Sequence, residues 1–415
     1  MRPLLIIVYD LGAAGPADLV AAARDVCDVV FVADPRSRHV ADNLAVLRAA
    51  APVVEAPPDP RAVADAVKVL RPAGVTTFSE SRIGLTAAVA DLLGLPYHAP
   101  ATAAALADKA AQREALARAG VPSARHRAIA GREGFLDAVA AVGLPAVLKP
   151  RQGAGSVDVR RLDTLQDCTR AANDLGAGYV LEELLVGDPT AAGPGFGDYV
   201  SVESVVHDGE IRHVAVTGKF PLAAGFRETG QFLPATLAPA LADRVTATAG
   251  HALRALDVRD GVTHTELKLT PSGPRIIEVN GRAGGYVSDL LRRCTGYDLL
   301  GAAMRSAVGR APETTVGPPR QVAFRRYLAA PPGRVVLTAL DGPDRVAALP
   351  GVTHVEIRAG IGQVLDSRNG TQDCLGVVYG RATDHDALRR LVEEMDALVD
   401  ARYEHVSAPL QPTGV

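Results

Sequence analysis

The residues with the clearest chemical potential lie between positions 263 and 285, in the segment THTELKLTPSGPRIIEVNGRAGG. Thr265 to Thr270 and Arg275 to Asn280 alternate polar and apolar residues, which is typical of half-buried strands. The Pro-Ser-Gly sequence between them favours a turn. A turn centred on Ser272 predicts a hairpin in which Leu267 pairs with Ile277 on the apolar face.

The polar face of this predicted hairpin carries oxygen ligands. The same register places Glu266 opposite Glu278 and His264 opposite Asn280. Two carboxylates with β-carbons about 5 Å apart repel each other unless a cation or a proton lies between them. Oxygen ligands suit a hard cation such as Mg²⁺, so Glu266, Glu278 and Asn280 are the predicted metal ligands. The alternatives are a charged face that simply points to water and, for His264, a structural histidine.

Residues on both sides of this hairpin are suited to anions. Arg282 continues the polar face with a planar fork, and the glycines around it permit close approach of the backbone to a ligand. Upstream, a short apolar strand ends at Lys149 and is followed by the loop RQGAGS at 151–156. Its backbone N–H groups could bind phosphates. It is not a P-loop, because the Gly-Lys-Ser/Thr ending is missing.

Taken in order, these segments resemble the ATP-grasp superfamily over most of the chain. The matching segments are Asp108-Lys109 with Arg113, AGVP at 119–122, VLKP at 147–150, GAGS at 153–156, LEE at 181–183, DYVSVE at 198–203, Glu266 and EVNGR at 278–282. The resemblance implies the ATP-grasp fold, a combination of α/β and α+β parts. It consists of an N-terminal parallel α/β domain, two grasp lobes and a small C-terminal α+β domain.

The resemblance also implies a nucleotide site. The implied ATP-binding residues are Lys109, Lys149, Gly153, Gly155, Ser156, Glu182, Glu183, Leu185, Asp198 and Lys268. Lys109 and Lys149 would hold phosphates, and the loop from Gly153 to Ser156 would close over the β/γ end. Glu182 to Leu185 would connect the two lobes and contact adenine. Asp198 would contact the ribose, although the family usually has glutamate there.

The chemistry implied by this resemblance is a ligation driven by ATP. Two Mg²⁺ ions, with Mn²⁺ as an alternative, would be held by the hairpin, and a substrate carboxylate would attack the γ-phosphorus to form an acyl phosphate. Arg282, the predicted catalytic residue, would neutralise charge during the transfer. An amine would then displace phosphate, so the expected product is an amide or a dipeptide.

Three further segments resemble bacterial L-amino acid ligases, which join two free amino acids. They are GVTTFSE at 74–80, residues 217–234 and the C-terminal module. By that resemblance, Glu80 and Glu228 hold a substrate ammonium, and Tyr286, one helical turn after Arg282, forms a wall of the acyl pocket. With Arg282 these are the predicted substrate residues. The alternatives are a solvated carboxylate for Glu80, a loop salt bridge for Glu228 and core packing for Tyr286.

Other functions stay open on the sequence. One is a different ATP-grasp enzyme, such as a purine-pathway ligase or a biotin-carboxylase-like enzyme. Another is a catalytically silent nucleotide-binding protein, which we would expect to lack a metal ligand. Gly12, Gly15 and Asp34 superficially resemble a dinucleotide fingerprint. Their spacing is wrong and Pro16 follows, so a turn at a helix start is the simpler interpretation.

Composition sets the class of protein. The chain has 415 residues, 48% of them hydrophobic, and a net charge of −3, which supports large cores and gives no footprint for nucleic acid. The apolar run Leu4 to Tyr9 is too short to span a membrane and lacks the features of a secretion signal, so we expect a first buried strand and a cytoplasmic location. The four cysteines are far apart, which predicts neither disulfides nor zinc. An intermittently apolar first domain leaves room for a homodimer.

The pattern of elements predicts four regions. Residues 1–100 alternate short strands (Leu4 to Tyr9, Val29 to Val32, Val75 to Phe78) with helical stretches, as in a parallel sheet with crossover helices. Residues 101–190 and 191–312 are the predicted grasp lobes, the second with the metal site. A proline-rich linker at 309–321 leads to a cap domain at 320–415, with a helix predicted from Asp384 to about Tyr403.

Overall fold

A computed structural model describes residues 2–129, 131–173, 175–176 and 178–406. The strands in these ranges are β1 (Leu4–Tyr9), β2 (Asp28–Ala33), β3 (Val53–Glu55), β4 (Gly74–Thr76), β5 (His126–Ile129), β6 (Ala146–Pro150), β7 (Arg160–Leu162), β8 (Tyr179–Glu183), β9 (Tyr199–His207), β10 (Glu210–Lys219), β11 (Gly230–Leu233), β12 (Gly261–Thr270), β13 (Gly273–Asn280), β14 (Val322–Leu328), β15 (Arg334–Asp341), β16 (Val352–Ile357), β17 (Val364–Asp366), β18 (Gly376–Ala382) and β19 (Asp400–His405).

The α-helices in the same ranges are α1 (Pro16–Ala23), α2 (Arg38–Ala50), α3 (Pro60–Val67), α4 (Ile83–Leu93), α5 (Pro100–Ala107), α6 (Lys109–Arg118), α7 (Phe135–Val142), α8 (Leu165–Asn173), α9 (Pro239–Ala255), α10 (Val287–Thr295), α11 (Leu299–Ala307), α12 (Pro343–Ala347) and α13 (His385–Leu398). None of the described helices is long and apolar enough to cross a lipid bilayer.

The N-terminal sheet is parallel, with the strand order β3-β2-β1-β4. Strand β1 is apolar throughout because both of its faces are covered. Leu5 and Ile7 pack into one buried cluster and Ile6 and Val8 into another, on the opposite side. The prediction of β1 was right at both ends, and the prediction for residues 75–78 began β4 one residue too late and ended it two residues too late.

A second, antiparallel sheet has the order β5-β8-β6-β7 and packs on α7 and α8. Its core includes Leu148 of β6, Leu181 of β8 and Phe135 of α7. The neighbouring residues in the two strands, Lys149 and Glu182, point to the other face, since side chains alternate along a strand. This sheet therefore positions a lysine and a glutamate side by side.

The largest sheet has eight strands in the order β13-β12-β9-β10-β11-β14-β18-β16. On one face Val200, Val202 and Leu267 pack against Val245 and Leu253 of α9. The alternate residues of the same strands are polar and share the opposite face. Residues 309–321 contain no helix or strand, as expected for a linker, yet β14 pairs with β11 directly after it. The predicted hairpin and the C-terminal region thus belong to one sheet, and the domain limits stay a prediction.

The prediction for the last helix was wrong at its C-terminal end. Helix α13 begins at His385, after the N-cap Asp384, but ends at Leu398. Residues 400–405 form β19, which pairs with β15 in a third antiparallel sheet ordered β17-β15-β19. The sequence DARYEH alternates in polarity, and pairing with β15 half-buries Ala401 and Tyr403. Tertiary pairing therefore decides the conformation of these residues.

Candidate active site

The hairpin predicted from the sequence is present as β12 and β13. Glu266 pairs with Glu278, and His264 pairs with Asn280, as predicted. The predicted pairing of Leu267 with Ile277 was wrong, because the register shifts after Glu266 and Leu267 pairs with Ile276. Ile277 is thus an extra residue, a bulge of the kind that re-aims side chains next to functional sites.

A buried chain of charged side chains runs from Glu203 through His264 to Glu266. His264 Nδ1 lies 2.9 Å from both carboxylate oxygens of Glu203, and Nε2 lies 3.2 Å from Glu266 Oε1. Both ring nitrogens can donate only in the imidazolium form. Burial lowers the pKa of His264, but the charge of Glu203 and the hydrogen bonds to both glutamates outweigh it and raise the pKa to about 9. His264 is therefore a cation, and in that form it holds Glu266 in position.

Glu266 stays ionised in this environment. Burial raises its pKa, but the hydrogen bond from His264 and the charge of Lys219 outweigh burial and lower the pKa to about 2. Glu203 was absent from the predicted site residues. Its position in the alternating segment DYVSVE places it on the same face as Ser201, which was the available signal. Ser201 donates a hydrogen bond to it at 2.9 Å.

Lys109 connects the hairpin to the glycine-containing loop. Its Nζ lies 3.0 Å from Glu278 Oε1 and donates to the carbonyl of Gly153 at 2.7 Å. Asp108 caps α6 and accepts a hydrogen bond from Arg151 Nε at 3.0 Å, which fixes the start of the helix against the start of the loop. Burial lowers the pKa of Lys109, but Glu278 outweighs it, so the pKa is raised. The structure thus brings these predicted phosphate and metal residues together.

Lys149 and Glu182 form a buried cluster with Arg113. Lys149 Nζ lies 2.8 Å from one oxygen of Glu182, and Arg113 Nε lies 3.0 Å from the other. Arg113 also donates to the carbonyl of Ile277, the bulge residue of β13. Burial lowers the pKa of Lys149, and Arg113 adds to this by repulsion. The pKa of Glu182 is lowered because the two cations outweigh its burial. Two cations facing one carboxylate leave this cluster net positive.

The loop at 151–156 is docked onto later parts of the chain. Gly153 and Gly155 have φ values of 120° and 71°, a region that favours glycine, and Ser156 follows at 60°. Ser156 Oγ donates to the carbonyl of Phe226 at 2.8 Å. The carbonyl of Gly155 accepts from the backbone N–H of Thr371 at 2.9 Å. The loop is therefore held between the segment before β11 and the segment before β18.

The remaining residues predicted to bind the nucleotide are Lys268, Asp198, Glu183 and Leu185. Lys268 Nζ lies 2.6 Å from Asp198 Oδ1, so these two side chains form an ion pair. Glu183 contacts Arg125 at 2.8 Å and Arg275 at 2.6 Å. Leu185 is half-buried beyond the end of β8.

Arg282 and Glu80 form an ion pair on the other side of the hairpin. Arg282 Nε lies 2.8 Å from Glu80 Oε2, while Nη1 donates to the carbonyl of Ala283 at 2.8 Å and Nη2 to Asn280 Oδ1 at 3.4 Å. Burial raises the pKa of Glu80 against the influence of Arg282, and the charge of Glu278 adds to it. The alternative of a solvated loop carboxylate was therefore wrong for Glu80.

Glu228 also lies in an ion pair, as the structural alternative for it predicted. Lys219 Nζ lies 2.6 Å from Glu228 Oε1 and also donates to Gln231 Oε1 at 3.3 Å. Gln231 in turn donates to the carbonyl of Gly285 at 2.6 Å, in the loop that follows Arg282. Lys219 and Gln231 were not among the predicted site residues, although both occur in the segment that resembles the ligases.

Tyr286 is not part of a helix with Arg282, so that expectation was wrong. Residues 281–285 form a loop, and Tyr286 precedes α10 with a left-handed φ of 63°. Such a conformation is rare for an aromatic residue and is often found at functional sites. Its half-exposed ring stacks on the guanidinium of Arg325, 3.3 Å from its centre. Simple core packing does not describe this arrangement.

The donor set on the hairpin fits a hard cation. Glu266 and Glu278 face each other across neighbouring strands, and Asn280 is two residues further along the same face. All three offer oxygen, the ligand atom that Mg²⁺ prefers. Lys109 contacts Glu278 and His264 contacts Glu266, and these cations balance the carboxylates in the protein alone.

Comparisons with known proteins show what this chain is similar to. The family profile "L-amino acid ligase C-terminal domain 2" matches residues 326–404. The uncharacterized protein y4rH of Sinorhizobium fredii is 30% identical over 337 residues, which cover 78% of this chain and 68% of that protein. Alanine–anticapsin ligase of Bacillus subtilis is 30% identical over 250 residues, which cover 55% of this chain and 53% of the ligase. The chain thus spans about half the length of that ligase.

The fold has a counterpart among solved structures. The crystal structure of an L-amino acid ligase from Bacillus licheniformis superposes with a TM-score of 0.75 at 20% identity, covering 98% of this chain and 99% of that chain. The N-terminal parallel sheet, the antiparallel sheets and the paired glutamates match the architecture expected from the sequence. The chain therefore belongs to the same family as y4rH, has the ATP-grasp fold of the solved L-amino acid ligase, and at residues 326–404 carries a domain of the L-amino acid ligases.

Proposed function

We propose that the protein is an ATP-dependent ligase that joins a carboxylate to an amine, with an acyl phosphate as intermediate and ADP and phosphate as products. The observation that carries this proposal is the position of the Glu266–Glu278 pair. Lys109 links it to the loop at 151–156 on one side, and Arg282 and Glu80 lie on the other. The relatives named as ligases support the same reaction.

The phosphate end of the site is formed by Lys109, Lys149 and the loop from Gly153 to Ser156. Both lysines are buried, so they meet an anion in a medium where charge interactions are stronger than in water. Glu182 holds Lys149 in place and is itself held by Arg113, so neither Glu182 nor Arg113 contacts phosphate in this proposal. The glycines of the loop permit a backbone conformation whose N–H groups would bind phosphate in this proposal.

The metal ligands in this proposal are Glu266, Glu278 and Asn280. They would hold Mg²⁺, two ions in our proposal, with Mn²⁺ as a substitute. Bound there, the metal supplies charge neutralisation for the phosphoryl group and orients its oxygens. His264, fixed by Glu203, keeps Glu266 ionised and correctly placed. The adenosine part would lie beyond β8, near Glu183 and Leu185, with Asp198 and Lys268 on its ribose side.

Arg282 is the catalytic residue of the proposal. Its side chain lies between Asn280 and Glu80, so it spans the gap from the metal ligands to the substrate region. Positive charge at this point stabilises a transferring phosphoryl group and the acyl phosphate that results. Glu80 and Glu228 would receive a substrate ammonium, and Tyr286 would border the acyl group. The amine and carboxylate substrates in this proposal are amino acids.

The test is release of phosphate from Mg²⁺·ATP with amino acids supplied singly and in pairs, followed by mass spectrometry. We expect release to depend on a pair and the product mass to equal the sum of both minus water. Phosphate release that needs bicarbonate in place of an amine, or no release with any pair, would contradict the proposal. A homodimer and a cytoplasmic location stay predictions; sedimentation of the purified protein and fractionation of cells are the respective measurements.

A further inference from the structure

Arg325 is a buried arginine, and three of its five N–H groups have no hydrogen-bond partner among the described residues. It lies in β14, and only 1% of its surface is exposed. Nη1 donates to the hydroxyl of Tyr327 at 2.7 Å. Nε and Nη2 have no hydrogen-bond partner among the described residues. A buried charged group without partners carries a large desolvation cost, so this side chain calls for an explanation.

The two unused nitrogens form one edge of the guanidinium. Nε–H and the Nη2 group on the same side point in parallel, and this edge matches the two oxygens of a carboxylate. The carboxylates in the neighbourhood are already engaged. Glu356 contacts Arg358 at 3.0 Å, and Glu228 contacts Lys219 at 2.6 Å. The Nε and Nη2 edge of Arg325 is therefore left without a carboxylate partner among the described residues.

Tyrosine rings pack around the guanidinium of Arg325. Its carbon lies 3.3 Å from the ring centre of Tyr286, 4.4 Å from that of Tyr327 and 5.5 Å from that of Tyr379. Such contacts stabilise the charge, but they act on the face of the guanidinium and leave its N–H edge without a partner. The three rings thus orient Arg325, but they do not supply the anion that its N–H edge lacks.

The sheet places Arg325 on the same face as the predicted active site. In neighbouring strands Arg325 is opposite Gln231, and Gln231 is opposite Lys219. Lys219 shares its face of β10 with Thr217, which donates to Glu203 at 3.2 Å. Four strand spacings, roughly 19 Å, separate β12 from β14. Arg325 therefore marks the end of the site that lies away from the metal ligands.

We propose that Arg325 is a specificity-determining residue that binds a substrate carboxylate through Nε and Nη2. The inference rests on the proposed ligase function, which supplies substrates of this kind. The α-carboxylate of the amino acid that provides the amine is one source of the group. A second carboxylate on the acyl substrate is the other. Tyr286, half-exposed over the guanidinium, lies between it and solvent.

The first test compares the kinetics of Arg325→Gln and Arg325→Lys with those of Arg326→Gln. Arg326 is the matched control, because it lies on the opposite face of β14 and already contacts Asp396 at 2.8 Å and Thr229 at 3.0 Å. A charged hydrogen bond contributes about 1.5–3 kcal/mol, so we expect the KM of one substrate to rise about 10- to 100-fold in Arg325→Gln with little change in kcat. Arg325→Lys should recover part of the loss.

Amides identify the source of the carboxylate. If it belongs to the amine substrate, wild-type protein should discriminate against the amino acid amide, and Arg325→Gln should not. If the KM of the acyl substrate rises instead, the carboxylate belongs to that substrate, and the assignment of Arg325 stands. Unchanged KM values for both substrates, or losses equal to those of Arg326→Gln, would overturn it.

A binding measurement separates this inference from the ligase proposal. Isothermal titration of the full chain with Mg²⁺·ADP and the twenty common L-amino acids, then with their amides, needs no turnover. Binding of a free acid that Arg325→Gln weakens, in a protein that never releases phosphate, would support the carboxylate site and reject the ligase. Binding of the free acids that is the same in wild-type protein and Arg325→Gln, or binding of none of them, would overturn the role of Arg325 even in an active ligase.

Discussion

The two ends of the polar sheet face differ in how their charges are balanced. At the hairpin end every charged group has a partner within the protein: Lys109 contacts Glu278, Lys149 contacts Glu182, and His264 contacts Glu266. At the β14 end Arg325 has an open fork. The charges at the hairpin end are already paired without a ligand, so a bound ligand must displace some of these ion-pair partners. The β14 end is complete only when an anion arrives, which is how a site selects a substrate that carries one.

The largest effect should come from a substitution at the hairpin end, where the charges are paired. Glu278→Gln removes a charge from the predicted metal site and the partner of Lys109. We expect phosphate release to fall by about 10³-fold or more, since charge stabilisation of the transferred group is lost, while the folded structure remains. Steady-state assays with Mg²⁺·ATP and the substrate pair measure the loss, and circular dichroism checks the fold.

The matched control for that change is Glu210→Gln, an exposed glutamate in the same sheet. It should keep full activity, because its partner Arg212 lies at the surface. If Glu278→Gln were as active as this control, the metal site would not include Glu278.

A smaller effect should follow from weakening the support of Glu266. Glu203→Gln removes the charge that raises the pKa of His264 to about 9, so that pKa should fall towards or below its ordinary value of 6.5. His264 is then neutral at pH 8 and no longer holds Glu266 as a cation. Loss of such supporting contacts typically costs about 10- to 100-fold in activity.

The pH dependence tests this directly. In wild-type protein His264 stays protonated below about pH 9, and activity should decline as the pH rises through that value. In Glu203→Gln the decline should move to lower pH, and NMR titration of the His264 ring should show the same shift. A pH profile that is identical in both proteins would rule out a role for the imidazolium.

At the β14 end, where Arg325 lacks partners, we expect an intermediate effect. The KM of one substrate should rise about 10- to 100-fold in Arg325→Gln. Comparing this variant with Glu278→Gln tests whether the two ends have different roles. The hairpin variant should lose kcat, since its charge acts on the reacting group, whereas the Arg325 variant should lose affinity for one substrate. If both variants lost kcat alike, the two ends would not have the separate roles assigned to them.

The smallest effect should come from the docked loop. Ser156→Ala removes one neutral hydrogen bond, to the carbonyl of Phe226. Such a bond contributes about 0.5–1.5 kcal/mol, so the KM for ATP should rise about 2- to 12-fold with the substrates unaffected. Ser272→Ala, in the turn after β12, is a control at which ATP kinetics should not change. An unchanged KM in Ser156→Ala would show that this contact does not contribute to nucleotide binding.

Local patterns predicted the parts of the structure that depend on neighbouring residues. The alternation around Pro271 to Gly273 and the turn between the two strands were enough to pair Glu266 with Glu278, because a short turn sets the register of a hairpin. The apolar run of β1 was also correct at both ends. The bulge at Ile277 was not predictable, since Arg113 from a distant helix binds the carbonyl of that residue.

The sequence by itself determined the hairpin and the types of residue that carry charge, because these depend on short-range spacing, and the order of its motifs carried the resemblance to the ATP-grasp superfamily. Only the tertiary structure decided which charges meet. Glu203 reaches His264 through the pairing of β9 with β12, two strands far apart in the chain. Arg325 joins the site because β14 pairs with β11 across the linker. These contacts follow from how strands order themselves around shared cores, which spacing along the chain does not specify.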